Sequence, residues 1–130
     1  MNKQVITVGS SSASNLPLSP GIAAGPFVFL SGQVAVDTST SRFTEGDTAA
    51  QTHQIMRNIT ALLAAAGSSL EQVVKVTVYL ADIDDFAAFN AVYRTYFPSE
   101  PPARTTIQAK LIPPYGVEID VIAIRNVEAA

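Results

Sequence analysis

The chain has 130 residues, 48% hydrophobic and only 15% charged, which fits one domain (1–130) with a sizeable core and excludes a disordered polyelectrolyte. Its formal net charge is −3, and its eight Lys and Arg residues are scattered without a basic stripe, so nucleic acid is not the expected partner. The lack of cysteine and the single histidine, His53, exclude disulfides and sulfur-ligated metals, and leave one ring for any histidine metal site or Ser-His-Asp triad.

Lys3–Val8 alternates weakly and predicts a first strand. Ser10–Pro20, SSSASNLPLSP, predicts a loop. The N-terminal stretch shows no apolar run of signal-peptide length, and the longest one, IAAGPFVFL, is far short of the ~20 residues that cross a bilayer. A cytoplasmic protein without a membrane span is the expectation. Phe27–Leu30 predicts a short strand ending at Ser31-Gly32-Gln33, and Val34–Thr44 a connection with turn residues Asp37, Thr38 and Ser39.

Asp47 or Thr48 caps a helix whose Ile55, Ile59, Leu62, Leu63 and Ala66 recur at helical spacing, with Met56 widening the stripe and Gly67 as the stop. The segment VVKVTVYL alternates as a strand, with Val74, Val76, Val78 and Leu80 on one face and Val73, Lys75, Thr77 and Tyr79 on the other. A second helix follows Asp82 or Asp84, with Phe86, Phe89, Tyr93 and Phe97 as its buried stripe, and Pro98, Pro101 and Pro102 end it. Next come the strand of PPARTTIQAK, a tight PPYG connection and a last strand over Val117–Arg125. The order β-β-α-β-α-β-β predicts an α+β domain. Two helices cover one face of such a sheet, and Val73, Tyr79, Ile122 and Ile124 fall on the other if Val74, Val76, Val78, Val117, Ile119 and Val121 meet the helices. An apolar second face, together with the low charge, predicts burial against another copy of the chain.

In PPARTTIQAK, Arg104, Thr106, Gln108 and Lys110 share one face, and Ala103, Thr105, Ile107, Ala109 and Leu111 the other. This fits an edge strand with a solvated polar face. It also fits a strand-held guanidinium for a small carboxylate at a subunit seam, worth roughly 1.5–3 kcal/mol per charge-assisted hydrogen bond, or an intersubunit ion pair. Glu118 and Asp120 stand two apart in an apolar strand, where an acid needs a partner such as Lys75, Lys110 or Arg125, or a proton-transfer task at raised pKa. Asn90 touches the second helix's buried stripe, where its amide holds a water, a ligand or a neighbouring loop. Gly32 lets backbone N–H groups approach a carboxylate closely, while Ser31 lacks a histidine base. His53 reads as a half-exposed helical side chain, and Tyr79, Tyr93, Tyr96 and Tyr115 as packing residues.

The pieces FVFLSGQVAVD, EGDTAAQTHQIMRNITALLAAAGSSLEQVVKVTVYLADIDDFAAFN, YFPSEPPARTTI and VEIDVIAI together resemble the Rid family of reactive intermediate deaminases, also called YjgF or endoribonuclease L-PSP proteins. The resemblance runs from about Pro17 to Ile124. It implies a chorismate-mutase-like fold with two helices on one face of a mixed sheet, and a homotrimer whose sheets line a barrel with clefts between subunits. It implies cofactor-free hydrolysis of 2-imino acids or their enamines to 2-keto acids and ammonia. Arg104 would hold the substrate carboxylate with the Gly32 backbone, Glu118 would manage protons and Asn90 would help place the substrate. Ser31, Leu18 and Thr106 would line the cleft. Two departures stand out: Leu18 replaces a tyrosine frequent in the N-terminal loop, and Thr106 replaces a frequent cysteine two residues after the arginine. The runner-up is a non-catalytic binder of small carboxylates. A ribonuclease or translation inhibitor is disfavoured by the acidic pI of about 4.9.

Overall fold

The computed structural model describes residues 2–9 and 16–127, so 10–15 of the expected N-terminal loop lie outside the described residues. Strands β1 (Lys3–Ile6), β2 (Gly21–Ala24) and β3 (Phe27–Leu30) form an antiparallel meander. A two-stranded hairpin of β4 (Val36–Asp37) and β5 (Arg42–Phe43) follows. Then come α1 (Thr48–Ala65), β6 (Val73–Leu80), α2 (Phe86–Tyr96), β7 (Ala103–Gln108) and β8 (Val117–Ile124). The main sheet runs β1-β2-β3-β8-β6-β7 and is mixed, because β6 and β7, joined through α2, pair in parallel. This agrees with the expected α+β class.

Strand β2 and the small hairpin are additions to the predicted order. The sequence GIAA carries only small residues beside one isoleucine, too weak an alternation to read, although Ala23 is fully buried.

Helix α1 begins as expected: the Asp47 carboxylate accepts from Ala50 N at 3.0 Å. The predicted stripe of Ile55, Met56, Ile59, Leu62, Leu63 and Ala66 lies in the core with Val76, Val78, Val117, Ile119 and Val121. Two face assignments need correction. A register irregularity between Val73 and Lys75 turns Val73 into the core and leaves Val74 exposed, the reverse of the expected faces there. A bulge inserts one residue and so inverts the alternation on one side of it. In α2, Phe86 is exposed, Val92 takes a buried place, and Asp82 caps a short 3₁₀ turn at Ile83–Asp85, accepting from Asp84 N.

The helix-free face has two zones. Val5, Ile22, Phe29 and Ile122 sit in register across β1, β2, β3 and β8, with Phe27 opposite Ile124 alongside. Phe27, Phe29 and Ile124 are each exposed by more than two fifths. Further along the same face, Glu118, Tyr79 and Ile107 line up across β8, β6 and β7, with Asp120 opposite Thr77. No helix among the described residues is long and apolar enough to cross a membrane.

Candidate active site

Arg104 lies near the start of the edge strand β7, opposite Val76 of β6, whose side chain is wholly in the core. The two residues share the helix-facing side of the sheet, so the polar row of PPARTTIQAK points toward α2 and the row of Ala103, Thr105 and Ile107 points away. That corrects the expectation of a solvated polar face. The inward row is tolerated because α2 offers it aromatic rings and an amide. The guanidinium carbon sits 4.7 Å from the Tyr93 ring centroid and 5.7 Å from those of Phe86 and Phe89. Its Nη1 donates to Asn90 Oδ1 at 2.8 Å. The amide of Asn90 therefore orients the arginine, a strand-borne partner where its position on the buried stripe suggested a water, a ligand or a loop.

Beside this arginine lies a cavity of about 560 Å³ lined by Asn90, Tyr93, Arg94 and Arg104, with Phe97 and three prolines at its wall. Two hydroxyls on this side of the sheet are buried without a hydrogen-bond partner: Tyr93 Oη and Thr106 Oγ1. Thr106 follows Arg104 by two residues and so faces the same way. Burial pushes the Tyr93 phenol up to about 12, against the lowering effect of the nearby Arg104 charge. Tyr93 is thus more than a packing residue. Its place three after Asn90 was the available sign.

A second group gathers at the end of β3. Ser31 Oγ donates to the Ser19 carbonyl at 2.6 Å, and Ser31 N donates to the Pro20 carbonyl, which ties the loop carrying exposed Leu18 to the strand end. Gln33 and Ile119 exchange backbone hydrogen bonds at 2.7 and 3.0 Å, which sets Gly32 beside Glu118. A Cβ on Gly32 would collide with Glu118 Oε2 and stand 2.9 Å from its Cδ. A larger residue here would push the Glu118 carboxylate out of that space.

Glu118 has its pKa raised, first by burial and then by the charge of Asp120. Two of the cations offered by the sequence are engaged elsewhere: Lys75 donates to Thr105 Oγ1, and Arg125 to the carbonyls of Gly25 and Ala66. Asp120 accepts from Tyr79 Oη at 3.0 Å, which raises the tyrosine's pKa. His53 pairs through Nδ1 with Tyr96 Oη at 2.6 Å, apart from both groups of residues.

The candidate residues thus fall into two half-sites. Arg104, Asn90 and Thr106 belong to the helix-facing side of the β7 edge. Glu118 lies on the helix-free side of β8 against Gly32 at the end of β3, next in sequence to Ser31, which holds the loop that carries Leu18. Within one chain the arginine and the glutamate point from opposite faces of the sheet.

Endoribonuclease L-PSP is the description of the family model that matches residues 9–125. The chain belongs to this family, the Rid family. It is 42% identical to a RutC family protein of Pyrococcus horikoshii over 95% of this chain and 99% of that one. It is 36% identical to a 2-iminobutanoate/2-iminopropanoate deaminase of Capra hircus, over 95% of this chain and 91% of the relative. The crystal structure of the YjgF gene product of E. coli superimposes with a TM-score of 0.86 at 32% identity, over 95% of this chain and 99% of that one. The mixed sheet with two helices is therefore the Rid fold.

Proposed function

We propose that this Rid family member hydrolyses 2-imino acids to 2-keto acids and ammonia, in sites that two copies of the chain complete together. The observation that carries the reading is the Arg104 guanidinium, braced by Asn90 Oδ1 and three aromatic rings while bordering an open cavity. A fixed fork of N–H donors matches a carboxylate, and its rigid setting reduces the ordering cost of binding. The deaminase name of the mammalian relative supports the same chemistry.

The reaction needs little beyond position. A carboxylate on Arg104 presents the adjacent C=N carbon, which is electrophilic once the nitrogen is protonated. Water adds to that carbon and loses a proton, the nitrogen gains one, and the tetrahedral carbinolamine expels ammonia to leave the keto acid. Glu118 suits the proton traffic, since its raised pKa makes it a better base than an ordinary carboxylate and lets it return the proton. Gly32 leaves room for that carboxylate and offers close backbone approach to substrate.

Because Arg104 and Glu118 lie on opposite faces, one chain supplies only half of this arrangement, and the apolar zone of Phe27, Phe29, Ile122 and Ile124 is suited to seat a neighbour. A homotrimer, as in the family resemblance, is the assembly proposed. No cofactor enters this reaction scheme, and a cytoplasmic setting suits it.

The test generates imines from several amino acids with an amino-acid oxidase and traps them with semicarbazide, with and without the protein. The protein should suppress trapping, and Arg104→Ala should lower kcat/KM at least about a hundredfold, the equivalent of one lost bidentate carboxylate contact. Carboxylate binding without any turnover would instead establish the non-catalytic binder.

A further inference from the structure

We propose that the cavity beside Arg104 takes a ligand with two acidic groups, a 2-imino dicarboxylic acid or its 2-keto product. Arg104 holds the carboxylate next to the reacting carbon, and Arg94 holds the distal one. The catalytic part of this statement rests on the deaminase reading above; the binding part does not.

Arg94 follows Asn90 by four residues, so both project from one face of α2 and both line the cavity. Arg104 enters from β7 across the same space, and Asn90 Oδ1, its hydrogen-bond partner, is uncharged. Two arginines therefore border one cavity whose lining contains no acidic residue. Glu71 and Glu100 line the adjoining cavity, which shares Phe97, Pro98 and Pro102 with this one. Like charges sharing a concave wall repel each other and raise the local concentration of anions, and a dianion relieves the repulsion where a monoanion leaves one charge unmatched.

The room is adequate. About 560 Å³ lies within the roughly 300–1,000 Å³ typical of small-molecule sites and exceeds what a three- or four-carbon acid fills. The wall of Pro98, Pro101 and Pro102 is conformationally restricted, so the space does not depend on a mobile rim. Finally, Tyr93 is only 6% exposed, yet its hydroxyl has no partner although the residue lines the cavity. Its high pKa keeps it protonated, a donor for an acidic ligand. An unpaired buried hydroxyl is costly unless something binds it.

Calorimetric titration of the full-length protein with 2-oxoglutarate and with 2-oxobutanoate tests the assignment. The dicarboxylate should bind about tenfold or more tightly, with a preference that narrows as salt is raised. Arg94→Glu should abolish or invert the preference, Arg94→Gln should lower it, and Arg94→Lys should retain most of it. Equal affinity for the two acids overturns the proposal, as does a preference that Arg94→Glu leaves unchanged. The same two acids are then compared as their imines in the trapping assay. Dicarboxylate preference without turnover supports the pocket while overturning the deaminase reading. Turnover confined to the four-carbon imine, with no preference in binding, does the opposite.

Discussion

Glu118 shows how the pKa of one acid can be raised by its setting alone. Its strand neighbours Val117 and Ile119 are core residues, Gly32 opens the space above it, and Asp120 adds a like charge on the same face. Its own burial and the Asp120 charge disfavour its ionised form in the folded protein, so its folded pKa lies above the unfolded value. The destabilisation is therefore absent at low pH, where both states are protonated. It grows as pH rises from the unfolded toward the folded pKa and is constant above it. Glu118→Gln should thus melt higher than the parent by a degree or two at pH 8, with the gap closing as pH falls toward about 4. Thermal scans at fixed oligomer concentration across that range provide the check, and a variant less stable than its parent at pH 8 would refute the account. A site residue that costs stability is also consistent with selection for chemistry at that position.

At the level of whole elements, α1 does more than bury an apolar stripe. Gln51, Thr52, Gln54 and Asn58 are buried on it. Asn58 Nδ2 donates to the carbonyls of Val36 and Val34 at 2.9 and 3.3 Å, and its Oδ1 accepts from Gln54 Nε2 at 2.9 Å. Gln51 bridges Gly46 O and Gly116 N, fastening the loop before α1 to the loop before β8. Asn58→Ala leaves two carbonyls and an amide short of partners in a dry setting, and should destabilise by about 2–3 kcal/mol in urea unfolding. A loss below half a kcal/mol would mean water replaces the amide without cost. None of these roles was legible in the sequence, where polar residues on a helix read as its solvated side. The helices themselves, the Asp47 cap of α1 and the strand segments of β3, β6, β7 and β8 were legible, because periodicity and capping chemistry act locally, whereas Asp82 caps the 3₁₀ turn before α2 and α2 itself starts after Asp85 without a side-chain cap. The side of the sheet that Arg104 faces was not. Alternation assigns two faces to a strand, but only the packing of Phe86, Phe89 and Tyr93 decides which one is inside. The bulge at Val73 and Val74 was hidden for the same reason, being a property of pairing with β8.

Across the whole molecule, the opposition of Arg104 and Glu118 makes assembly a requirement of the proposed reaction. If a neighbour brings its Glu118 half-site to this chain's Arg104, the two residues of one working site reside on different chains. Arg104→Ala and Glu118→Gln proteins would then each be inactive alone, yet complement each other when unfolded together and refolded as a mixture. In a cyclic trimer with three head-to-tail contacts, every mixed ring has one junction that pairs an intact arginine with an intact glutamate. Random assembly from equal amounts should recover about a quarter of the parental activity. Recovery no greater than the summed activities of the two variants would place both groups in one chain's own site, or show that the chain works alone. Ile122→Glu provides the companion measurement. A charge beside Phe29, in the apolar zone of the helix-free face, should shift the mass found by light scattering toward the monomer, and turnover should fall with it while Arg104 and Asn90 keep their contact. Activity that survives in a monomer would separate the chemistry from the assembly, because a single chain offers Arg104 on one side of its sheet and Glu118 on the other.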